Sequence, residues 1–502
     1  MSLFFNRPYI KEIITGIILF LFSFCIRITY QQETQVYLPE TIVDLPFRSD
    51  VGKYFLAAYN LATHGNYSLE SPNIAGTPPE TTTDLSPGLP IFISFFFTEN
   101  SSIESVFTSI QKAHAVLGSF TVLFTFILAR LSIGFTGALI AGVLTAISPH
   151  LISMESYVLT ETLYIFVLML GSMLFTMGWL GNRPVLTGFS AIILACSSQV
   201  RTVSIFLIWI FLPLLVVFPK KRAINSLKTF SIHLISLVLG FVIVTAGYYQ
   251  FKGYAITQDS WLRAYLSHGK EINSDSKVMK YETSNPYKKL HHQLSSIKDR
   301  STSSTRIKYQ SIWHPLLYLK LSVVPPKFYI NDVRFTNKRE AISYKRINRR
   351  LTKKSFSDYP LKYLTWNLWG KYLTFWNWDN IYVGDVFVYP MVKSGFVDNM
   401  FFKFIHKSMH ALHLPLYWLS LCGVIIFFIN WGRSTSIFPE QGLAVPVFGF
   451  LYFHGICTFI AWLPRYSIPV RPFSYILAAA MLTWTIKYLR HRPQRLSVSK
   501  NP

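Results

Sequence analysis

Long apolar runs separated by polar stretches dominate the chain. A run of about 18 or more apolar residues is long enough to cross a bilayer as a helix. Such runs, or near-runs, lie at Ile13–Tyr30, Ala113–Leu131, Gly134–Pro149, Val158–Leu180, Val185–Ser198, Val203–Phe218, Phe230–Gln250, Ala411–Trp431, Leu443–Leu463 and Phe473–Tyr488. The pattern predicts an all-α polytopic membrane protein with about ten transmembrane helices. The fifth run is short, which fits a tilted or partly re-entrant segment. Leu89–Phe97 is too short to span and reads as an interfacial helix. The first run has no small-residue cleavage site after it and reads as a retained helix rather than a removed signal.

Short basic loops fix the orientation. Arg7, Lys11, Arg130, Arg183, Lys220-Lys221-Arg222, Arg433, Lys487, Arg490, Arg492 and Arg495 fall on one side if there are ten helices. That side is then cytoplasmic and both ends of the chain lie there. The opposite side receives two long loops, residues 31–112 and 251–410. The chain divides into an N-terminal transmembrane module over 1–250, the large outer loop over 251–410, and C-terminal helices with a basic tail over 411–502. No internal repeat is visible, so a transporter built from repeats gains no support.

Composition agrees with the pattern. Hydrophobic residues make up 51% of the 502 residues and charged residues only 14%, against about 25% charged in an ordinary soluble chain. A net charge of +24 would suit nucleic acid, but the basic residues flank apolar runs and match anionic headgroups better. Cys25, Cys196, Cys422 and Cys457 all lie in apolar runs, with no metal-ligand spacing and no disulfide framework. There is no glycine-rich phosphate loop and no Ser/His/Asp signature.

Ionisable residues at the ends of spans carry the candidate chemistry. Asp50 opens a helical pattern over Val51–Leu61, with Ser49 as a possible N-cap; by spacing alone, a carboxylate complementing the helix dipole is the favoured reading. Glu80 and Asp84, ahead of Ser86-Pro87-Gly88, offer oxygen ligands for a divalent cation or simply a solvated loop. Glu161 sits in the first turn of the fourth span, deep for a decorative charge, while Glu155 reads as loop. Arg201, Arg465 and Arg471 lie on the outer side against the charge rule; binding a phosphate and snorkelling to headgroups weigh equally. His406, His410 and His413 share one helical face, and a place at the membrane interface outweighs metal binding. Tyr363-Leu364-Thr365-Trp366 and Phe375-Trp376-Asn377-Trp378 read as interfacial aromatic segments, and Lys270–Lys308 as a polar Lys/Ser-rich stretch.

Three passages resemble the GT-C glycosyltransferases, in the branch of the dolichyl-phosphate-mannose protein mannosyltransferases and the bacterial aminoarabinose transferases of lipid A. They are Asp50 with Tyr54, Ala58-Tyr59-Asn60-Leu61 and His64-Gly65; Thr160-Glu161-Thr162-Leu163; and Pro464-Arg465-Tyr466-Ser467-Ile468-Pro469-Val470-Arg471-Pro472. Gly384-Asp385-Val386-Phe387-Val388-Tyr389-Pro390 resembles a segment of some bacterial members. The resemblance implies an inverting transfer of a sugar from a polyprenyl-phosphate donor to a hydroxyl of a lipid, glycan or protein. It implies Asp50 and Glu161 as catalytic carboxylates, with Lys53, Arg201, Arg465, Tyr466 and Arg471 around the donor phosphate. A divalent ion on Glu80 or Asp84 would share that work. It also implies a bacterial inner membrane with the site facing the periplasm, and a membrane lipid but no nucleic acid as partner. Two departures stand out. Val51 occupies the place where the family often has a second carboxylate, and residues 251–410 show no MIR domain. A flippase of lipid-linked saccharide and an O-antigen ligase or polymerase are the competing readings.

Overall fold

A computed structural model describes residues 10–36, 50–65, 67–69, 86–98, 101–207, 227–251, 360–365, 372, 375–380, 385–389, 391–431, 440–459 and 464–498. The Lys270–Lys308 stretch, Glu80, Asp84 and most of the sixth apolar run lie outside these residues.

Helix α1 (Ile10–Gln32) shows what the solvent is. Its outward side chains include Ile10, Ile13, Ile14, Ile17, Ile18, Leu21 and Phe22, all large, apolar and exposed. Its inward stripe is Gly16, Leu19, Ser23, Ile26, Arg27 and Tyr30. Apolar groups outside and polar ones inside is the pattern of a helix in lipid. Four described helices are long and apolar enough to cross a bilayer: Ile10–Gln32, Ile103–Ala146, Thr160–Leu180 and Met400–Asn430. Pro184–Val200, Phe230–Ala246 and Gly442–Ile456 are shorter apolar helices. The protein is a multi-pass integral membrane protein.

After a short strand β1 (Gln35–Val36), helix α2 (Asp50–His64) and helix α3 (Gly88–Ser94) lead into α4 (Ile103–Ala146). Ser102 caps α4 by accepting from the Ser105 amide at 3.1 Å. The helix is broken at Gly134, where φ is 86° and ψ is −177°, a region open to glycine alone. The chain doubles back there. Phe126 and Gly142 lie equal distances either side of Gly134, and a Cβ on Gly142 would sit 3.5 Å from the Phe126 Cβ. The second and third apolar runs are thus two limbs of one tight hairpin.

Helices α5 (Pro149–Glu155), α6 (Thr160–Leu180), α7 (Pro184–Val200) and α8 (Leu227–Phe251) follow. The α6–α7 turn passes through Asn182 at φ 51°. His233 of α8 hydrogen-bonds both Thr187 (2.8 Å) and Asn182 (3.2 Å), which fastens α8 to that turn. Only residues 203–207 of the sixth run are described, and they lie in a 3-10 turn, Thr202–Phe206, and its cap.

Beyond α9 (Pro360–Thr365), strand β2 (Met391–Lys393) pairs antiparallel with β1, Gln35 facing Lys393 and Val36 facing Met391. Lys393 reaches Glu33 at 3.2 Å. This ribbon is a small addition to an all-helical expectation. It ties the segment just after α1 to the segment just before the next helix. Then come α10 (Gly395–Asp398), α11 (Met400–Trp431), α12 (Glu440–Phe459), a 3-10 turn Pro464–Val470, and α13 (Arg471–Val498). Helix α11 starts at Met400 rather than at the expected Ala411, because its first turns carry Lys403, His406, Lys407 and His410 and so break the apolar run without breaking the helix.

Candidate active site

Asp50 is the first residue of α2. The helix is held by its apolar face: Phe55 packs its ring 6.2 Å from Phe97 and 6.0 Å from Phe107 of α4, and Tyr59 lies 5.8 Å from Phe97. The neighbouring α3 begins at Gly88, where a Cβ would come within 2.8 Å of the Gln199 carbonyl oxygen. The glycine lets α3 lie directly on the end of α7. Its close approach brings α3 up to the end of α7, next to Arg201.

Arg201 is the C-cap of α7, in extended conformation. Its Nη1 donates to Glu161 Oε1 at 2.8 Å. Its guanidinium lies 4.9 Å from the Tyr466 ring and 5.8 Å from that of Tyr164, within cation–π range. Glu161 is in the first turn of α6 and has no exposed surface. Arg465, in the 3-10 turn before α13, reaches the same carboxylate twice, through Nε to Oε1 and through Nη2 to Oε2 at 3.1 Å, a bidentate pairing. Its third nitrogen, Nη1, donates to Asp50 Oδ2 at 3.3 Å.

One guanidinium therefore meets two carboxylates, the farther of them 415 positions away in the chain. The two carboxylates differ sharply in access. The Glu161 side chain has no exposed surface, that of Arg465 is 19% exposed and that of Asp50 is 49% exposed. Burial opposes the charge on Arg465 and on Arg201, but Glu161 outweighs it and holds both guanidinium groups above their ordinary pKa. Two tyrosines complete the wall. Burial, with the charge of Asp50 next in weight, pushes the Tyr54 and Tyr389 hydroxyls up to about 12. Both are neutral near pH 7 and act only as hydrogen-bonding groups. Tyr389 is fixed from behind by Tyr157, whose hydroxyl donates to the Tyr389 carbonyl at 2.8 Å.

Asp50, Glu161, Arg201, Arg465 and Tyr466 thus come together. Lys53 is exposed and shares none of these contacts. Arg471 is buried elsewhere, beside His413 at 3.4 Å. Glu80 and Asp84 lie outside the described residues, among which no group of three potential metal ligands occurs.

Several readings of the sequence are corrected. Glu155 is not loop but the buried last residue of α5, paired with Arg27 of α1 at 2.8 Å. Arg27 also donates to Ser23 Oγ at 2.5 Å and to the Ala146 carbonyl at 3.2 Å. The α4 backbone passes so close that a Cβ on Gly118 would overlap the Glu155 carboxylate. An arginine inside the first apolar run was the signal for this pair. The three histidines of α11, read as interfacial, pack against the protein's own aromatic rings. They surround Trp378, at ring distances of 5.4, 4.7 and 5.3 Å for His406, His410 and His413. His406 and the Trp378 indole both reach Asp385 Oδ1 at 2.7 Å. Trp376 and Trp378, expected at the interface, are buried inside the protein. Tyr54 lies four residues after Asp50, a spacing that sets both on one helical face, whereas nothing in the sequence placed Tyr389 beside them.

No protein-family model matches the chain, and no curated protein does. Among solved structures the chain is similar to the oligosaccharyltransferase of Archaeoglobus fulgidus. The apo form gives a TM-score of 0.49 at 12% identity, covering 99% of this chain and 52% of the other. The complex with an inhibitory peptide and a dolichol-phosphate gives 0.46 at 13%, covering 99% and 53%. The complex with zinc and sulfate gives 0.47 at 11%, covering 97% and 51%. The chain spans about half the length of these structures.

Proposed function

We propose that the protein is an inverting glycosyltransferase that moves a sugar from a polyprenyl-phosphate donor to a hydroxyl acceptor at the outer membrane face. The membrane in this reading is a bacterial inner membrane, and the face is periplasmic. The observation that carries the reading is the contact of Arg465 with both Asp50 and Glu161. The three passages that resemble the GT-C enzymes are far apart in sequence, and each sends one charged side chain to this point.

The chemistry divides among these residues by access. Glu161 is sealed and already holds two arginines, so its part is to position them. Arg201 and Arg465 present positive charge to the donor phosphate and to the charge that grows on it as it leaves. Asp50 is the accessible carboxylate. A phosphate that takes Nη1 of Arg465 releases Asp50 Oδ2 for the acceptor. The acceptor oxygen attacks the anomeric carbon from the face opposite the phosphate. The bond from that carbon to the phosphate oxygen breaks, its electrons stay with the phosphate, and the acceptor proton passes to Asp50. The neutral hydroxyls of Tyr54 and Tyr389 are placed to orient the acceptor.

Transfer from a polyprenyl-phosphate sugar, assayed in membranes, tests the assignment. Asp50→Asn should lower the rate by about 100-fold or more, the range of a lost general base. Near-normal turnover would remove Asp50 from the mechanism. Arg465→Ala should raise the KM for the donor more than that for the acceptor. Equal effects on both would count against a phosphate role.

A further inference from the structure

Four histidines from three helices converge on residues 375–380 and 385–389. His413 of α11 donates from Nε2 to the Trp376 carbonyl at 2.8 Å, and His150 of α5 donates from Nε2 to the Trp378 carbonyl at 2.9 Å. His454 of α12 accepts from the Trp376 indole at 2.6 Å, while its Nδ1 donates to the Phe450 carbonyl at 2.6 Å. Those three hold the two tryptophans. The fourth, His406 of α11, donates from Nε2 to Asp385 Oδ1 at 2.7 Å. The same oxygen accepts from the Trp378 indole at 2.7 Å.

The Asp385 side chain is 37% exposed and that of His406 17%. A pair that open adds little to stability, so its value lies in what it places. The Asp385 backbone is at φ 51°, a left-handed conformation in which aspartate, asparagine and glycine are favoured. The Asp385 amide donates to Asp379 Oδ1 at 3.0 Å, and the Asn380 amide to the Asp385 carbonyl at 2.7 Å. These bonds set Asn380 and Asp385 side by side, and the Asp385 carboxylate ties them to α11. Tyr389 follows four residues later, at most about 14 Å further along the chain. Val386 and Val388, between the two, are buried. The Tyr389 hydroxyl faces the backbone amide of Asp50, the first residue of α2. Its carbonyl takes the Tyr157 hydroxyl at 2.8 Å. The Asp385–His406 pair thus sits at one end of a short lever, and the accessible carboxylate of the candidate site sits at the other.

We infer that Asp385 and His406 are positioning residues, whose hydrogen bond fixes Tyr389 against the Asp50 end of α2. On the proposed transferase reading, on which this role rests, that is the side of the acceptor. Hydrogen exchange of full-length protein in detergent tests the placement without any activity. His406→Phe keeps an aromatic ring beside Trp378 but has no donor. His406→Gln loses the ring but keeps an N–H for Asp385. The amides from Asp50 to Ala58 should exchange about threefold faster or more in His406→Phe, and near the wild-type rate in His406→Gln. The amides of α6, which carries Glu161, should not change. Unchanged exchange in α2, an equal rise in α6, or equal rises in both variants would overturn the inference. Should His406→Phe fail to fold, Asp385→Gly keeps a backbone at φ 51° and removes the carboxylate. Unchanged α2 exchange in that variant overturns the inference equally. Transfer is then assayed with a polyprenyl-phosphate hexose as donor and octyl glucoside as the hydroxyl acceptor. His406→Phe should raise the KM for the acceptor about fivefold or more and leave that for the donor within about twofold, with His406→Gln restoring it. A donor shift of equal size overturns the acceptor-side role. The exchange result decides the placement of Tyr389 whether or not sugar is transferred, so the positioning role and the transferase reading fail separately.

Discussion

At the scale of single residues, the two carboxylates of the candidate site illustrate how burial divides roles. Glu161 and Asp50 both touch Arg465, yet one is sealed and the other half open. Removing the sealed charge strands two arginines. Glu161→Gln should therefore destabilise the protein by about 3 kcal/mol, the lower end for breaking a buried pair. Asp50→Asn should cost under about 1 kcal/mol, as for other exposed pairs. Denaturation of the purified variants in one detergent gives both numbers, and similar losses would mean that Glu161 is not the anchor. The sequence singled out Glu161 by its position at a span end and Asp50 by its place at the start of a helical pattern in the first long loop. It could not rank them, because the side-chain environment that separates a positioning carboxylate from an accessible one is made by α7 and by the turn before α13.

At the scale of elements, Gly134 decides how the second and third apolar runs relate. The pattern gave two spans with a basic residue, Arg130, near their junction. The structure makes them one hairpin, whose reversal uses a backbone conformation that a Cβ excludes. Gly134→Ala should cost about 1–3 kcal/mol and lower the thermal midpoint of the detergent-solubilised protein. An unchanged midpoint would place the reversal elsewhere. The same scale explains the misplaced start of α11. Hydropathy marks the unbroken apolar run, whereas the helix itself begins about three turns earlier. There its histidines pack on Trp378.

At the scale of the whole molecule, β1 and β2 join two segments more than 350 residues apart. That pairing requires both loops to lie on one side of the membrane. With cysteines at Gln35→Cys and Lys393→Cys, mild oxidation of intact membranes should give an intramolecular cross-link. Absence of the cross-link would separate the loops. The buried Arg27–Glu155 pair works at the same scale, clamping α1, the α4 hairpin and α5 together.

What the sequence determined by itself is the solvent and the parts. Lipid requires every spanning backbone group to be satisfied within its own helix, so apolar length alone marks the spans. Charge at their ends marks the residues worth testing. Tertiary structure decided which of those charges meet. Arg465, Glu161, Arg201 and Asp50 converge because α3 rests on the end of α7 and the 3-10 turn folds back over α6. Arg471, in the same short motif as Arg465, faces a different wall. Two arginines six residues apart look equivalent along a chain. Only the packing around them gives one its carboxylates and leaves the other without any among the described residues.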